Sequence, residues 1–199
     1  VELDRPERPA RVIHPRQVGL RYDVEHHGEL FYLLTNKDGA IDFKIMTAPV
    51  ATPQIDNWRD LVPFREGCMI ISHVCLRGRL VRMERENSLP RIVIRDLATG
   101  EEGAIAFDEE AYGLGMDAGL EFDTDWLRFT YASMARPAET YDYNMATRER
   151  ILIKTQEVPS GHNPARYTVR RIFATAPDGA QVPVSLLHLA DLDLDGTAP

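Results

Sequence analysis

Short apolar runs separated by turn-forming residues set the pattern of this chain: 30–36 (LFYLLTN), 43–47, 69–76 (MIISHVCL), 79–84, 91–97 (RIVIRDL), 126–132 (WLRFTYA), 140–145 and 149–155 (ERILIKT). They are rich in β-branched and aromatic residues and end in turn chemistry such as Asn36-Lys37-Asp38-Gly39, Arg77-Gly78 and Thr99-Gly100, which is how strands and their connections read. A helical period is scarcely visible. Residues 56–62 could close one or two helical turns and 108–112 another, but neither sustains the spacing. The expected fold class is all-β.

The spacing carries more than the class. Leu97-Ala98-Thr99-Gly100-Glu101 recurs loosely as Met145-Ala146-Thr147-Arg148-Glu149, an offset of 48 from 97 to 145, and each copy lies between two strands. The strongest strands begin at 30, 79 and 126, which are 49 and 47 apart. A period near fifty with four short strands per unit is the signature of a β-propeller blade. The units fall at 21–64, 69–107 and 112–155. Strands 30–36 and 91–97 lack a clean solvent face, as stacked sheets require; an open sandwich with a chance repeat is the alternative. The expected architecture is a partial β-propeller of about three four-stranded blades.

After Thr155 the texture changes. Val158-Pro159-Ser160-Gly161-His162-Asn163-Pro164 is a linker by composition, and 168–175 and 181–189 flank the turn Ala176-Pro177-Asp178-Gly179. Pro presets φ there and Gly accepts a positive φ, so the two segments form a hairpin. It does not continue the repeat and reads as the opening of a second domain. The expected division is 1–157 for the blades, 158–167 for the linker and 168–199 for the hairpin.

Composition narrows the function classes. With 44% hydrophobic and 27% charged residues in 199, the chain is of ordinary globular usage and buries a core. No window approaches eighteen uncharged apolar residues, and Glu2, Asp4, Arg5, Glu7 and Arg8 stand where a signal peptide would be apolar; neither a membrane partner nor secretion is expected. Lys and Arg number 23 against 31 Asp and Glu, a net charge of −8, the wrong sign for a nucleic-acid partner. Cys68 and Cys75 sit seven apart in one expected strand; that odd spacing points them to opposite faces as reduced, buried thiols. A reducing cytoplasm is the expected compartment. The chain begins at Val1 and ends at Pro199, as expected of a piece of something longer.

Candidate chemistry is sparse. Ser72, Ser88, Ser133, Ser160 and Ser185 lack the G-x-S-x-G elbow of a hydrolase nucleophile. Of His14, His26, His27, His73, His162 and His188, only 26 and 27 are close in sequence, and adjacent strand residues face opposite sides, so they cannot chelate one metal. Asp191-Leu192-Asp193-Leu194-Asp195-Gly196 fits the first half of a calcium loop, but 184–189 reads as a strand where an entering helix belongs; an acidic surface loop is expected, and a calcium-binding extracellular module is the minor alternative. Glu101, Glu102, Asp108, Glu109 and Glu110 read as a solvated face, or as steering for cationic peptides if they line a channel. No catalytic, cofactor-binding or metal-ligating residue is assigned, and no cofactor is expected.

Three strings carry a family resemblance: Ala106-Phe107-Asp108-Glu109-Glu110-Ala111-Tyr112, the run 127–137 (LRFTYASMARP) and the run 154–159 (KTQEVP). In order and spacing they resemble landmarks of oligopeptidase B (protease II) in the prolyl oligopeptidase family of serine peptidases. Residues 167–187 (YTVRRIFATAPDGAQVPVSLL) are similar to that family's crossing from the propeller into its α/β-hydrolase domain, and 21–26 and 31–36 also resemble it.

The resemblance implies a serine peptidase that cleaves short peptides after Arg or Lys, with a seven-bladed propeller capping the active site and excluding folded proteins. This chain would hold the last three blades, a hinge at 160–166 and the first hairpin of the catalytic domain. The family's nucleophile, acid and histidine all fall beyond Pro199, so no catalytic residue carries over and the isolated chain is expected to be inactive. The implied partners are its own catalytic domain and short basic peptides. Three blades would leave two blade faces uncovered, so self-association, swapping or partial disorder is expected. A noncatalytic propeller that binds proteins is the alternative function.

Overall fold

The structure, a computed structural model, describes residue 7 and residues 9–196. Strands β1 (Tyr22–His27), β2 (Leu30–Thr35), β3 (Lys44–Pro49) and β4 (Arg59–Val62) form a first sheet. A second holds β5 (Cys68–Leu76), β6 (Arg79–Glu86), β7 (Leu89–Asp96) and β8 (Glu102–Ala104). The third holds β9 (Gly113–Asp117), β10 (Trp126–Ala132), β11 (Glu139–Asn144) and β12 (Arg150–Thr155). Each is an antiparallel meander in chain order, and β13 (Tyr167–Thr175) pairs with β14 (Gln181–Leu189) as a separate hairpin. This is a partial β-propeller, with sheets close to the units expected from the repeat.

The sheets stack face to face. Tyr32, Leu34, Ile45 and Val62 of the first meet Ile70, Cys75 and Leu80 of the second. On the other side of the second sheet, Leu76, Val81 and Ile92, with Ile105 just after β8, meet Leu127, Phe129, Tyr131 and Tyr143 of the third. Alternation explains the continuous apolar runs: Leu34 enters the first interface while Leu33 turns to the outer face of its sheet, where Met46, Ala48, Trp58 and Ile13 cover it. That outer face is therefore sheltered by the segment that precedes β1, with Tyr22 donating its hydroxyl to the His14 carbonyl (2.9 Å). The third sheet has one buried face; along β10, Leu127, Phe129 and Tyr131 are buried while Trp126, Arg128 and Thr130 are exposed.

The three sheets also meet at one end. Gly78, in the β5–β6 turn, donates its N–H to His27 Nε2 at the end of β1 (3.0 Å). Arg77 donates its N–H to the Phe122 carbonyl in the β9–β10 loop (3.0 Å), and the Phe122 ring lies 5.5 Å from that of His27.

The sequence repeat is a hydrogen-bonded motif copied almost atom for atom. In the β7–β8 turn, Asp96 Oδ1 accepts from the N–H groups of Ala98 and Thr99, Thr99 Oγ1 accepts from Glu101 N–H, and Gly100 N–H reaches the Asp96 carbonyl. In the β11–β12 turn, Asn144 Oδ1 accepts from Ala146 and Thr147, Thr147 Oγ1 from Glu149, and Arg148 N–H reaches the Asn144 carbonyl.

Several expectations are corrected. Residues 56–62 are not a helix: a single 3₁₀ turn at Ile55–Asn57 leads into β4, held by Trp58 Nε1 donating to the Pro53 carbonyl (2.9 Å). Residues 108–111 form bends and the segment 108–112 has no helical turn. The apolar pattern does not mark β1, β4, β8 and β9, which are polar, short or glycine-rich (YDVEHH, RDLV, EGA, GLGMD). Cys68 and Cys75 do share β5, but a bulge between Ile70 and Ser72 inserts one residue and inverts the alternation. Cys68 then pairs across to Glu86 and Cys75 to Leu80, two residues on one face of β6, so both thiols point toward the first sheet.

The two copies of the turn differ at their left-handed position, which is Gly100 (φ 77°) in one and Arg148 (φ 66°) in the other. Arg148→Gly removes the Cβ penalty and is expected to gain about 0.5 kcal/mol, a Tm rise of about 1–2 °C. Gly100→Ala is expected to lose about 1 kcal/mol. Thermal unfolding of the two variants checks this; opposite signs are required.

Candidate functional site at the hinge end

The end of the sheets opposite the His27 cluster carries the connections 63–67, 105–112 and 133–138 and the segment 156–166 that leads to β13. Among the described residues, the hairpin's hydrogen bonds to the rest of the chain gather at its root. His162 stacks on Tyr167 (5.6 Å between ring centroids, 17° between planes) and its Nε2 lies 2.7 Å from the Ala135 carbonyl. Asn163 Oδ1 caps the turn at Pro164–Arg166 by accepting from Ala165 N–H (3.1 Å). Val169 is buried against Ala111 and Ala135. Glu110 accepts from Arg171 N–H (2.7 Å) and pairs with Arg170 (3.2 Å); these hydrogen bonds hold its carboxyl below the usual carboxylate range.

The hairpin carries exposed apolar side chains on both faces, Ile172, Val182 and Leu186 on one and Phe173 and Leu187 on the other. The Pro177-Asp178-Gly179 turn closes as expected, with Ala176 N–H donating to the Ala180 carbonyl and Gly179 at φ 87°.

Between the first and second sheets lies a cavity of about 340 Å³ whose lining includes Val62, Arg65, Cys68, Arg82, Glu84 and Glu102. Arg82 is the hub of its charges. It donates from Nε to Glu84 (2.5 Å) and from Nη2 to Glu102 (2.7 Å), while Arg91 donates to Glu84 (2.7 Å) and Arg95 to Glu102 (2.8 Å). The Arg82 and Glu84 side chains are only 6% and 4% exposed. Burial raises the Glu84 and Glu102 carboxyls, but their arginine partners outweigh it and hold both below the ordinary value. Cys68 Sγ lies 3.6 Å from Glu84 Oε2 and from Arg91 Nη2. Farther along the strand, burial pushes the Cys75 thiol up to about 12, leaving it inert.

The sequence candidates are dispersed. Ser72 and Ser185 lie in β5 and β14, Ser88 and Ser160 in turns, and Ser133 Oγ accepts from the N–H groups of Ala135 and Arg136. Among the described residues, none of these hydroxyls bonds a histidine. His26 is exposed and His27 half-buried, on opposite sides of β1. His73 donates from Nε2 to the Tyr32 carbonyl (3.1 Å), with Nδ1 buried and unpartnered. Asp191 and Asp193 are exposed after β14; no group of three metal-type ligands gathers among the described residues.

Glu101, Glu102, Asp108 and Glu110 are exposed, as a solvated face requires, and Glu109 is half-buried; three of these carboxylates also have partners. Glu102 belongs to the Arg82 network, Glu109 accepts from the Tyr131 hydroxyl, and Glu110 roots the hairpin. The strand expected at 79–84 carries no assigned role for its charges, and the Arg82–Glu84–Arg91 network emerges only from the fold. Arg82 and Glu84 alternate in step with the buried Leu80, which was the available signal.

Comparison with known proteins decides the family. Residues 1–156 match the family described as prolyl oligopeptidase, N-terminal beta-propeller domain. The chain belongs to the prolyl oligopeptidase family. This prolyl oligopeptidase-type propeller is 38% identical to dipeptidyl aminopeptidase BI of Pseudoxanthomonas mexicana, covering 94% of the chain and 26% of the relative. It is 26% identical to Protease 2 of Moraxella lacunata, covering 100% and 28%. Among solved structures it is similar to oligopeptidase B from Leishmania major, with a TM-score of 0.80, 30% identity, and coverage of 92% of the chain and 27% of that structure. The chain thus spans about a quarter of the length of the relatives it matches. Among the described residues, no helix is long and apolar enough to cross a membrane.

Glu84→Ala removes one of the two carboxylates that pair with Arg82, leaving Glu102, and is expected to cost about 1.5–3 kcal/mol. Because both carboxyls sit below their ordinary value of 4.5, their stabilisation is complete above about pH 4.5 and is lost as pH falls through the lowered values. Glu84→Gln is therefore expected to flatten the acid limb of a Tm-versus-pH series. A limb as steep as that of the unmutated protein contradicts the assignment.

Proposed function

We propose that this chain is the gating end of the propeller in a serine oligopeptidase that hydrolyses short peptides after Arg or Lys. Residues 1–157 supply its final blades, 158–167 the interdomain linker and 168–199 the first hairpin of the catalytic domain. The observation that carries this reading is the combination of the family match over 1–156 with a hairpin whose apolar side chains are exposed on both faces. Exposed apolar side chains on both sides of a two-stranded ribbon need a covering domain.

The stacked sheets have fully buried residues at both interfaces, Leu80 in one and Phe129 in the other, so they act as a rigid wall. Such a ring admits a chain only if it is short or extended, and opening at the linker exposes a water-poor site between the domains. The Arg or Lys preference would come from carboxylates of the catalytic domain, with the net charge of −8 contributing steering at most. The nucleophile, acid and histidine lie outside 1–199, so the isolated chain is inactive in this account.

A second specificity has its own support. The relative at 38% identity is named a dipeptidyl aminopeptidase, which favours removal of dipeptides from a free amino end.

The full-length protein, assayed on fluorogenic peptides with Arg, Lys or Pro before the reporter and with blocked or free amino termini, separates the readings. Turnover of blocked Arg and Lys peptides is the expected result. Turnover confined to free-amino dipeptides supports the second reading, and no turnover with no labelling by a serine-directed fluorophosphonate leaves the noncatalytic binding module.

A further inference from the structure

We infer that the β9–β10 loop, residues 118–125, is a strap across the propeller axis at the end away from the hinge, latched by Arg77, and that its release admits longer peptides. The inference rests on the peptidase reading above.

Stacked sheets lie about 10 Å apart, so the first and third are separated by the full thickness of the second. The inner edges of propeller blades converge around the central channel, which brings elements of the first and third within reach of one another there. Phe122 of the third sheet's loop packs against His27 of the first (5.5 Å). Its carbonyl accepts from Arg77 N–H of the intervening sheet (3.0 Å), and Gly78 N–H of the same turn reaches His27 Nε2 (3.0 Å). The inner turns of three blades therefore meet at one point, and the loop from the third lies over it.

The latch is of a kind that opens. Arg77 pairs with Asp123 (2.9 Å) and Asp125 (2.8 Å), and the three side chains are 54%, 75% and 40% exposed. Exposed ion pairs are weak and screened by salt. The loop tip is unpacked: Leu120 is fully exposed and Gly119 sits at φ 68°. The internal bonds that shape the loop, Gly119 N–H to Asp117 Oδ1 and Trp126 N–H to Thr124 Oγ1, do not involve the partner sheets, so the strap can swing as a preformed unit.

The test uses the full-length protein and two peptides with the same residue at the cleaved bond, one a tripeptide reporter and one of about a dozen residues. Arg77→Ala is expected to leave kcat/KM for the short reporter within about twofold while raising that for the long peptide about threefold, the population change expected on losing exposed ion pairs. Salt gives an independent reading on the unmutated protein. Raising it from about 0.05 to about 0.5 M is expected to favour the long peptide in the same way, and Arg77→Ala is expected to abolish that response. A long-to-short ratio unmoved by both salt and substitution overturns the strap, as does an equal loss on both peptides. Failure to cleave even the tripeptide overturns the peptidase reading instead.

Discussion

A four-stranded antiparallel meander satisfies its inner backbone groups but is left with two faces, and an apolar face in water is unstable until something covers it. In this chain the covering is reciprocal. The second sheet presents Leu80 to one neighbour and Val81 to the other, both fully buried. Each such side chain contributes about 1.5–3 kcal/mol by leaving water, so each sheet draws much of its stability from its neighbour. The stacking fixes the rest of the molecule: the orientation of the sheets, the convergence of their inner turns on His27, and the rigid end from which the hairpin projects.

The two ends of the stack differ in how their contacts are made. At the hinge end the contacts are buried or multiply bonded: Val169 sits between Ala111 and Ala135, and Glu110 holds two arginines of β13. At the opposite end they are exposed ion pairs around Arg77. The hairpin is thus rooted by a buried contact on one side, while the β9–β10 loop is held by exposed ion pairs on the other.

The sheets were legible because two signals agreed, the recurrence of the 97–101 turn at 145–149 and the apolar runs at 30–36 and 91–97 that no solvent-facing strand would carry. The edge strands escaped notice. Glu102–Ala104 and Gly113–Asp117 have few apolar side chains, and backbone pairing to a neighbour defines them. The cysteine geometry failed for a related reason: strand periodicity predicts opposite faces, and one bulge residue at Ile71, which the pattern does not announce, reverses it. The ionic cavity hid behind the usual rule that charged strand positions face water. Arg82 and Glu84 face a neighbouring sheet, and only their mutual pairing makes that tolerable.

The central claim is that the exposed hairpin is the first element of a domain that completes itself elsewhere in the protein. Amide hydrogen exchange on residues 1–199 and on the full-length protein compares the two states directly. The account predicts β2, β6 and β10 protected in both, with β13 and β14 exchanging rapidly in the short chain and protected in the long one. Equal exchange at β13 and β14 in the two would contradict it.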